Sequence, residues 1–251
     1  IWVAPFGADR ESDIFKEHPE YFVQMKCGLP WPTPAFDFST EGACDYLRRL
    51  FCKLSHEWGF RYIKMDIISS RLAPGVYSDP EFTTVRNFRR ALEIIRESVT
   101  EDTFLLACTA PLAPAAGLVD GMRVSCDVFE RWESLRDVFN SVLKRYYTNG
   151  VYYINDADCL LVRTAAEEDG ECWRLCTRTD AEIRTYVTAM AASGGALMLS
   201  DKMSLLRPEQ YELISKLFPL NTRAAVPLDL MDSFIPGVLD FGVRHGARTV
   251  A

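Results

Sequence analysis

The feature that most constrains the fold is a regular alternation of apolar segments with amphipathic ones. Six short apolar segments, predicted as strands, begin near residues 1, 61, 103, 122, 151 and 196. Segments with apolar residues at helical spacing lie between or after them, at about 39–58, 80–98, 133–147, 180–192 and 208–217. Strands that are apolar throughout are typical of a parallel sheet covered by helices. The sequence therefore predicts an α/β fold.

Polar or reactive side chains stand at the ends of five predicted strands. They are Asp66, Cys108, Asp127, Asp156 and Asp201. A (β/α)8 TIM barrel has its active site at the carboxyl ends of its strands, so this pattern favours that fold. Because six strands are two short of eight, we predict that residues 1–220 form strands three to eight of a TIM barrel that lacks its first two β/α units. Residues 221–251 differ in composition, being rich in Pro, Asp and Val, and they predict the start of a C-terminal β-rich region.

Composition narrows the classes of partner. The 251 residues are 48% hydrophobic, which permits a full core and excludes a disordered chain. The net charge is −7 and no basic run is present, so nucleic acid is not expected as a partner. No apolar stretch is long enough to predict a membrane span, and no membrane partner is expected.

Cysteine and histidine usage shows no pattern of a metal site. Of the eight cysteines only Cys172 and Cys176 are close together, and the three histidines are scattered, so no metal is predicted. Cysteines without a pairing pattern favour a reducing compartment, such as the cytoplasm. The compartment stays open, because the first residue is Ile and the chain resembles a piece of a longer protein.

The predicted strand at residues 61–68 is apolar but carries two charged residues, Lys64 and Asp66. Residues i and i+2 of a strand point to the same face, so a cation and a carboxylate are expected side by side. Burial of a charge is costly, which indicates a function for the pair, and a neighbouring cation keeps a carboxylate ionised. The alternative is an ion pair with a purely structural role.

Asp66 and Asp127 are the two carboxylates that we predict to carry chemistry. Glycoside hydrolysis needs one carboxyl group that attacks the anomeric carbon and another that protonates the leaving oxygen. Asp66 suits the first task because its predicted cationic neighbour favours the ionised form. Asp127, which lies past a strand end, suits the second. Two aspartates at strand ends occur in many barrels, so their spacing alone does not identify a reaction.

Two stretches, Lys64-Met65-Asp66 and Arg123-Val124-Ser125-Cys126-Asp127, resemble motifs of the α-galactosidase clan, the melibiase-like retaining glycoside hydrolases. Further stretches are similar to the clan and follow in the same chain order. Ile1 to Pro5 has Trp2 at a sugar-facing aromatic position, and Cys108 matches a cysteine of the fifth strand. Asn155 to Cys159 is similar to an N-D-P-D motif with Ala in place of Pro, and Ala196 to Asp201 is similar to the eighth strand. The resemblance covers about residues 1–220 and is family 36-like.

This resemblance implies a retaining mechanism in which Asp66 is the nucleophile and Asp127 is the acid/base. It implies that five further residues bind substrate, and these are Lys64, Arg123, Trp2, Cys108 and Asp158. The implied partner is a carbohydrate, a terminal α-linked galactoside, and the reaction needs neither a metal nor an organic cofactor. Clan members often assemble, so a homo-oligomer is left open.

The chain departs from the clan directly after Cys108. There Thr109 to Pro114 replaces a longer glycine-rich turn, which in the clan shapes the pocket around the second carbon of the sugar. The sugar therefore stays open between galactose, N-acetylgalactosamine, glucose and xylose.

Alternatives of other classes are also open. One is a non-catalytic barrel that binds glycans, and another is a metal-dependent hydrolase that uses Asp66, Asp156 and Asp158. Arg123 has a structural alternative of its own, an ion pair with Asp120 or with the predicted acid/base.

Overall fold

The computed structural model of the protein describes residues 1–25, 34–69, 75–164, 177–244 and 247–250. The chain divides into two compact units, Ile1–Met122 and Arg123–Ala251. The strands are β1 (Trp2–Val3), β2 (Gln24–Met25), β3 (Tyr62–Met65), β4 (Gly75–Val76), β5 (Phe104–Ala107), β6 (Gly121–Arg123), β7 (Ile154–Leu160), β8 (Ala196–Leu199), β9 (Val226–Pro227), β10 (Leu239–Arg244) and β11 (Ala247–Val250). The α-helices are α1 (Asp13–Glu17), α2 (Glu41–Cys52), α3 (Thr84–Ser98), α4 (Leu112–Ala115), α5 (Trp132–Lys144), α6 (Asp180–Ser193) and α7 (Pro208–Ser215).

In the first unit, parallel strands follow the order β1, β3, β5, β6. The register aligns Trp2 with Lys64 and Lys64 with Leu106. Register partners in neighbouring strands point to the same face of a sheet, as do residues i and i+2 of one strand. Trp2 and Lys64 therefore share a face with Asp66 and Cys108, which continue the two inner strands.

Two long helices of the first unit, α2 and α3, begin at threonine caps and pack against each other. The side chains of Thr40 and Thr83 accept hydrogen bonds from backbone N–H groups in the first turn of each helix, which satisfies donors that otherwise have no partner. Each helix buries an apolar stripe at helical spacing, and Leu47 and Leu92 are fully buried. As predicted, α2, extended by the π-helical segment Lys53–Glu57, ends just before Gly59, whose φ is 75°.

In the second unit, β7 and β8 pair in parallel and α5 packs on α6. The helix α6 begins with a reciprocal cap between Thr179 and Glu182 and ends at Gly194, whose φ is 64°. Its buried Tyr186 donates a hydrogen bond from the ring hydroxyl to the backbone carbonyl of Cys159 in β7. The helix is thereby fixed to the strand that carries the aspartates described below.

Residues beyond 221 contain an antiparallel sheet of three strands in the order β11, β10, β9. Strands are thus present in the segment 221–251, for which a β-rich region was predicted. A separate C-terminal domain there stays a prediction, as does the boundary at residue 220.

Two predictions about strands were wrong or incomplete. The strand expected at 151–156 lies later in the chain, as β7, because Asn155 and Asp156 are buried inside it instead of ending it. Asn155 tolerates burial because its side chain accepts a hydrogen bond from the Thr148 hydroxyl at 2.8 Å and donates one to the carbonyl of Arg145 at 3.2 Å. The antiparallel pair β2–β4 was not predicted, since two-residue strands carry no periodic signal.

Candidate active site

Asp66 stands at the carboxyl end of β3, as predicted, and its backbone N–H donates to the carbonyl of Val3 at 2.8 Å. The pairing of β5 with β3 also continues beyond the last residue of β5, because the N–H of Cys108 donates to the carbonyl of Met65 at 2.7 Å. These two bonds hold the strand ends rigidly beside each other. The carboxylate of Asp66 is therefore presented from paired backbone and not from a free loop.

Neutral donors surround the Asp66 carboxylate. Trp2 donates from Nε1 to Oδ2 at 3.0 Å, and the backbone N–H of Ile67 donates to Oδ1 at 2.7 Å. The hydroxyl of Thr109 also donates to Oδ1. The same hydroxyl accepts a hydrogen bond from the Ile67 N–H at 2.9 Å. The three residues thus bind both carboxylate oxygens.

Partial burial raises the pKa of Asp66, but hydrogen bonds to its ionised form outweigh that effect. The bonds from Thr109, Trp2, the Ile67 N–H and the Cys108 thiol together lower the pKa of Asp66 from 3.8 to about 2. The carboxylate is therefore ionised at neutral pH, which is the form that a nucleophile requires.

The predicted cause of this ionisation was wrong. Lys64 makes no ion pair with Asp66 among the residues that the structure describes, although the two lie on one face. Hydrogen bonds from neutral groups, and not a cation, keep Asp66 ionised. The alternative of a purely structural Lys64–Asp66 ion pair is wrong for the same reason. Lys64 is partly exposed and aligned with Trp2, so its ammonium lies on the face that carries the carboxylate.

Backbone geometry beside this carboxylate is unusual. Ile67 has a φ of 58° and Thr109 a φ of 48°, the left-handed region that β-branched residues rarely adopt. Such a conformation costs about 1–2 kcal/mol per residue and persists only where the surroundings impose it. Here it occurs in the two residues that donate to Oδ1 of Asp66.

Trp2 and Cys108 differ in exposure although both donate to Asp66. Trp2 is 52% exposed, so it is not core filler, and its indole N–H lies next to the carboxylate. Cys108 is 4% exposed, and its thiol contributes to the low pKa of Asp66. Such burial is typical of a cysteine that serves only packing, whereas its hydrogen bond to the carboxylate is a role that packing alone does not require.

In the second unit, Arg123 binds two aspartates with the two ends of its guanidinium group. Nη2 donates to Oδ1 of Asp127 at 2.7 Å, and Nη1 lies 2.9 Å from Oδ1 of Asp158. The Arg123 side chain is only 2% exposed, whereas that of Asp127 is 71% exposed. A buried arginine thus holds one exposed and one buried carboxylate in fixed positions.

Asp158 reaches this arginine because β7 is irregular. The pairing of β7 with β8 shifts register between Asp156 and Cys159, and Asp158 has a φ of 73°. A bulge of this kind changes the direction of a side chain and often lies near a functional site. Oδ2 of Asp158 also accepts the backbone N–H of Val128 at 2.7 Å, one residue after Asp127.

Two other predicted strand-end aspartates have structural partners. Asp156 is fully buried within β7, and its Oδ1 accepts the N–H of Asp158 at 2.8 Å. Asp201 accepts the N–H of Val162 at 2.6 Å, so it joins the segments that follow β7 and β8 and does not cap a helix. Burial raises the pKa of Asp201. The prediction that Asp156 ends a strand was wrong.

Asp120 binds an arginine other than the one suggested by the sequence. Its Oδ2 accepts hydrogen bonds from Nη2 of Arg96 at 2.6 Å and from the N–H of Leu105 at 2.7 Å. The arginine that Asp120 binds therefore belongs to α3 and not to β6.

Sequence reasoning missed the roles of Thr109 and Ile67. The sequence singled out Thr109 only as part of a departure from a glycine-rich turn. A hydroxyl directly after a strand-end cysteine could have been predicted as a donor to the end of the neighbouring strand. Ile67 gave no signal, because the contribution comes from its backbone N–H and its left-handed conformation.

Two absences apply to the described residues alone, and they concern metal-ligand clusters and membrane-spanning helices. Within those ranges no group of three or more His, Cys, Asp or Glu side chains is arranged to hold a metal ion. Cys172 and Cys176 lie outside the described residues. None of the described helices has the length and apolar character needed to cross a membrane.

Comparison with known proteins matched no protein-family model, but it found many similar solved structures. The α-galactosidase TtGalA from Thermus thermophilus, in complex with stachyose, is 25% identical with a TM-score of 0.69, over 86% of this chain and 48% of that chain. The GH27 β-L-arabinopyranosidase Abp from Geobacillus stearothermophilus is 24% identical with a TM-score of 0.58, over 82% of this chain and 48% of that chain.

A GH36 α-galactosidase from Geobacillus stearothermophilus, AgaA, is 14% identical with a TM-score of 0.54, over 86% of this chain and 29% of that chain. The structural neighbours are thus glycoside hydrolases, α-galactosidases among them, and the predicted likeness to the melibiase-like clan is confirmed. The likeness to family 36 is a weaker fit. The chain spans about half the length of the first two proteins, and its α/β fold is consistent with part of a TIM barrel.

Proposed function

We propose that this chain carries catalytic residues of a retaining glycoside hydrolase that cleaves terminal α-linked sugars, with α-galactosides as the first candidate. The single observation that carries the proposal is the Asp66 carboxylate, bound by Trp2, Ile67 and Thr109 and ionised at neutral pH. The neighbour TtGalA, an α-galactosidase, supports the choice of reaction and of sugar.

In the proposed first step, an Asp66 oxygen forms a bond to the anomeric carbon while the bond from that carbon to the leaving oxygen breaks. Asp127, protonated at that point, gives its proton to the leaving oxygen. In the second step a water oxygen attacks the anomeric carbon, Asp127 takes the proton of that water, and the ester bond to Asp66 breaks. The sugar leaves with its anomeric configuration retained.

Other side chains are proposed to bind the sugar or to hold the carboxylates. Arg123 supports this role by fixing Asp127 and Asp158 with a single guanidinium group. Lys64 and the exposed ring of Trp2 lie on the face of Asp66, where an ammonium can bind hydroxyl groups and an aromatic ring can pack against a sugar. Cys108 is proposed to contribute through its contact with the nucleophile.

The experiment that tests the proposal is an assay of the full-length protein with p-nitrophenyl α-D-galactopyranoside and the matching α-glycosides of N-acetylgalactosamine, glucose and xylose. Asp66→Ala is expected to abolish turnover of the sugar that is cleaved, while Asp102→Ala, which removes an exposed carboxylate bound to Arg61, leaves it unchanged. Azide added to Asp66→Ala is expected to restore release of nitrophenol and to yield a glycosyl azide of inverted configuration.

Asp127→Ala tests the second role separately. A nitrophenolate leaving group needs little protonation, so this variant is expected to keep far more activity on the aryl glycoside than on an oligosaccharide. Turnover that survives Asp66→Ala would overturn the proposal. A protein that binds but does not cleave any of the sugars, and loses only affinity in Asp66→Ala, would be the non-catalytic glycan-binding alternative.

A further inference from the structure

We infer that Thr109 is a positioning residue for the proposed nucleophile, holding Oδ1 of Asp66 through its side-chain hydroxyl. The inference rests on the proposed function, in which Asp66 attacks the sugar. Thr109 belongs to the turn in which the chain departs from the clan, so the role concerns a feature of this sequence.

The direction of the hydroxyl proton follows from a count of donors and acceptors. The Thr109 hydroxyl accepts the N–H of Ile67 at 2.9 Å and has one proton of its own to donate. An ionised carboxylate only accepts, and Oδ1 of Asp66 is the acceptor beside the hydroxyl. The proton therefore lies toward Asp66, and the Ile67 N–H, the hydroxyl and the carboxylate form one directed network.

The backbone of Thr109 is fixed independently of its side chain. Its carbonyl accepts the N–H of Ser69 at 2.7 Å, and the preceding residue, Cys108, continues the ladder with Met65. Its φ of 48° is a conformation that a threonine does not adopt without support from its surroundings. The hydroxyl is consequently held in place before any substrate binds, which is the condition for preorganisation.

A purely structural role is the competing explanation, because Thr109 also links the segments that follow β3 and β5. The two explanations differ in what they affect. A structural link changes stability and leaves the ionisation of Asp66 and the balance of kcat and KM unchanged. A positioning residue changes how the carboxylate titrates and how fast it attacks, with little effect on substrate binding.

Thr109→Val is the informative substitution, since it keeps the branched shape and removes the hydroxyl. Thr109→Ser keeps the hydroxyl, and Thr109→Gly removes it while relaxing the left-handed backbone. With p-nitrophenyl α-D-galactopyranoside we expect kcat to fall about tenfold in Thr109→Val and Thr109→Gly, with KM little changed, and to stay near the parent value in Thr109→Ser. Thermal melts of all three establish that they are folded.

A titration provides a readout that is independent of turnover. Carboxyl ¹³C NMR of Asp66, assigned with Asp66→Asn, is expected to show its midpoint rising by about one pH unit in Thr109→Val and remaining in place in Thr109→Ser. An unchanged midpoint in both hydroxyl-free variants, or a loss of stability without a change in kcat, overturns the inference. If Asp66→Ala keeps its turnover, the proposed function fails as well. A failure confined to the Thr109 variants leaves the proposed function intact.

Discussion

The indole N–H of Trp2 donates a hydrogen bond to Oδ2 of Asp66 at 3.0 Å, across 64 positions of the chain. Trp2 lies in β1 and Asp66 follows β3, and the two strands are direct parallel neighbours. The contact therefore forms only when these strands pair, and it joins the indole N–H of an exposed tryptophan to the proposed nucleophile.

Trp2→Phe keeps an aromatic ring and removes the N–H donor. We expect kcat/KM to fall about tenfold, because a hydrogen bond to a charged group contributes about 1.5 kcal/mol. Steady-state kinetics on the aryl galactoside measure the loss. The matched control is Trp58→Phe, which alters another exposed tryptophan, one that lies near Lys53 and not near the carboxylate. Equal effects of the two substitutions would contradict a specific role for Trp2.

Arg123→Ala is expected to lower the free energy of unfolding by about 3 kcal/mol. The substitution leaves the carboxylate of Asp158, which is 11% exposed, without its cation. Arg48→Ala breaks two partly exposed pairs, with Glu41 and Asp45, and is expected to cost less than about 1 kcal/mol. Urea denaturation of the three proteins measures the difference. The free energy of unfolding of Arg123→Lys should lie between those of the parent and Arg123→Ala, since an ammonium cannot bind both aspartates as a planar guanidinium does.

Stability is expected to depend on the ionisation of Asp66. Because its folded-state pKa is lowered to about 2 from 3.8, the ionised form contributes stability that is fully present above pH 3.8 and is lost as the pH falls through about 2. The contribution is about 1 kcal/mol after allowance for solvent screening of a partly exposed group. The difference in unfolding free energy between the parent and Asp66→Asn should shrink by that amount from pH 5 to pH 2. Parallel pH profiles would refute the prediction.

Gly194→Ala is expected to destabilise the protein more than Gly59→Ala. Both glycines have positive φ, 64° and 75°, so alanine costs about 1 kcal/mol at either. At Gly194 a Cβ would also lie 2.3 Å from the backbone nitrogen of Ala224, whereas at Gly59 nothing lies within 4 Å. We therefore expect a total of about 3 kcal/mol at Gly194, measured by thermal or chemical unfolding. Similar losses at both positions would show that the close contact relaxes without cost.

The order of strands and helices could be predicted because burial shows in the sequence as unbroken apolar runs. The run that contains Leu105 and Ala107 is an example, since both side chains are fully buried and β5 lies where a strand was expected. β7 was misplaced because hydrogen bonds from the Thr148 hydroxyl and the Asp158 N–H make Asn155 and Asp156 acceptable inside a strand, and apolar periodicity does not show such bonds.

The sequence indicated candidate site residues but not the contacts among them. Charged residues that interrupt an apolar run, such as Asp66 and Arg123, stand out in the sequence. The sequence does not show that Trp2 and Thr109 donate hydrogen bonds to Asp66, because they lie 64 and 43 positions away. The contact of Arg123 with Asp158 depends on a shift in strand register, which periodicity does not reveal.

Backbone strain at the left-handed residues near the carboxylates lowers stability, but the same residues hold groups of the proposed active site. Ile67, Thr109 and Asp158 are the non-glycine residues of positive φ in the described ranges; the first two donate to Asp66 and the third binds Arg123. Relaxing the backbone at each position would release about 1–2 kcal/mol of strain, but removing the side chains of Thr109 and Asp158 would also remove contacts with Asp66 and Arg123. Such changes would loosen the groups that hold the proposed nucleophile and Arg123. A hardier form of this protein is therefore better sought on the outer surface of its helices.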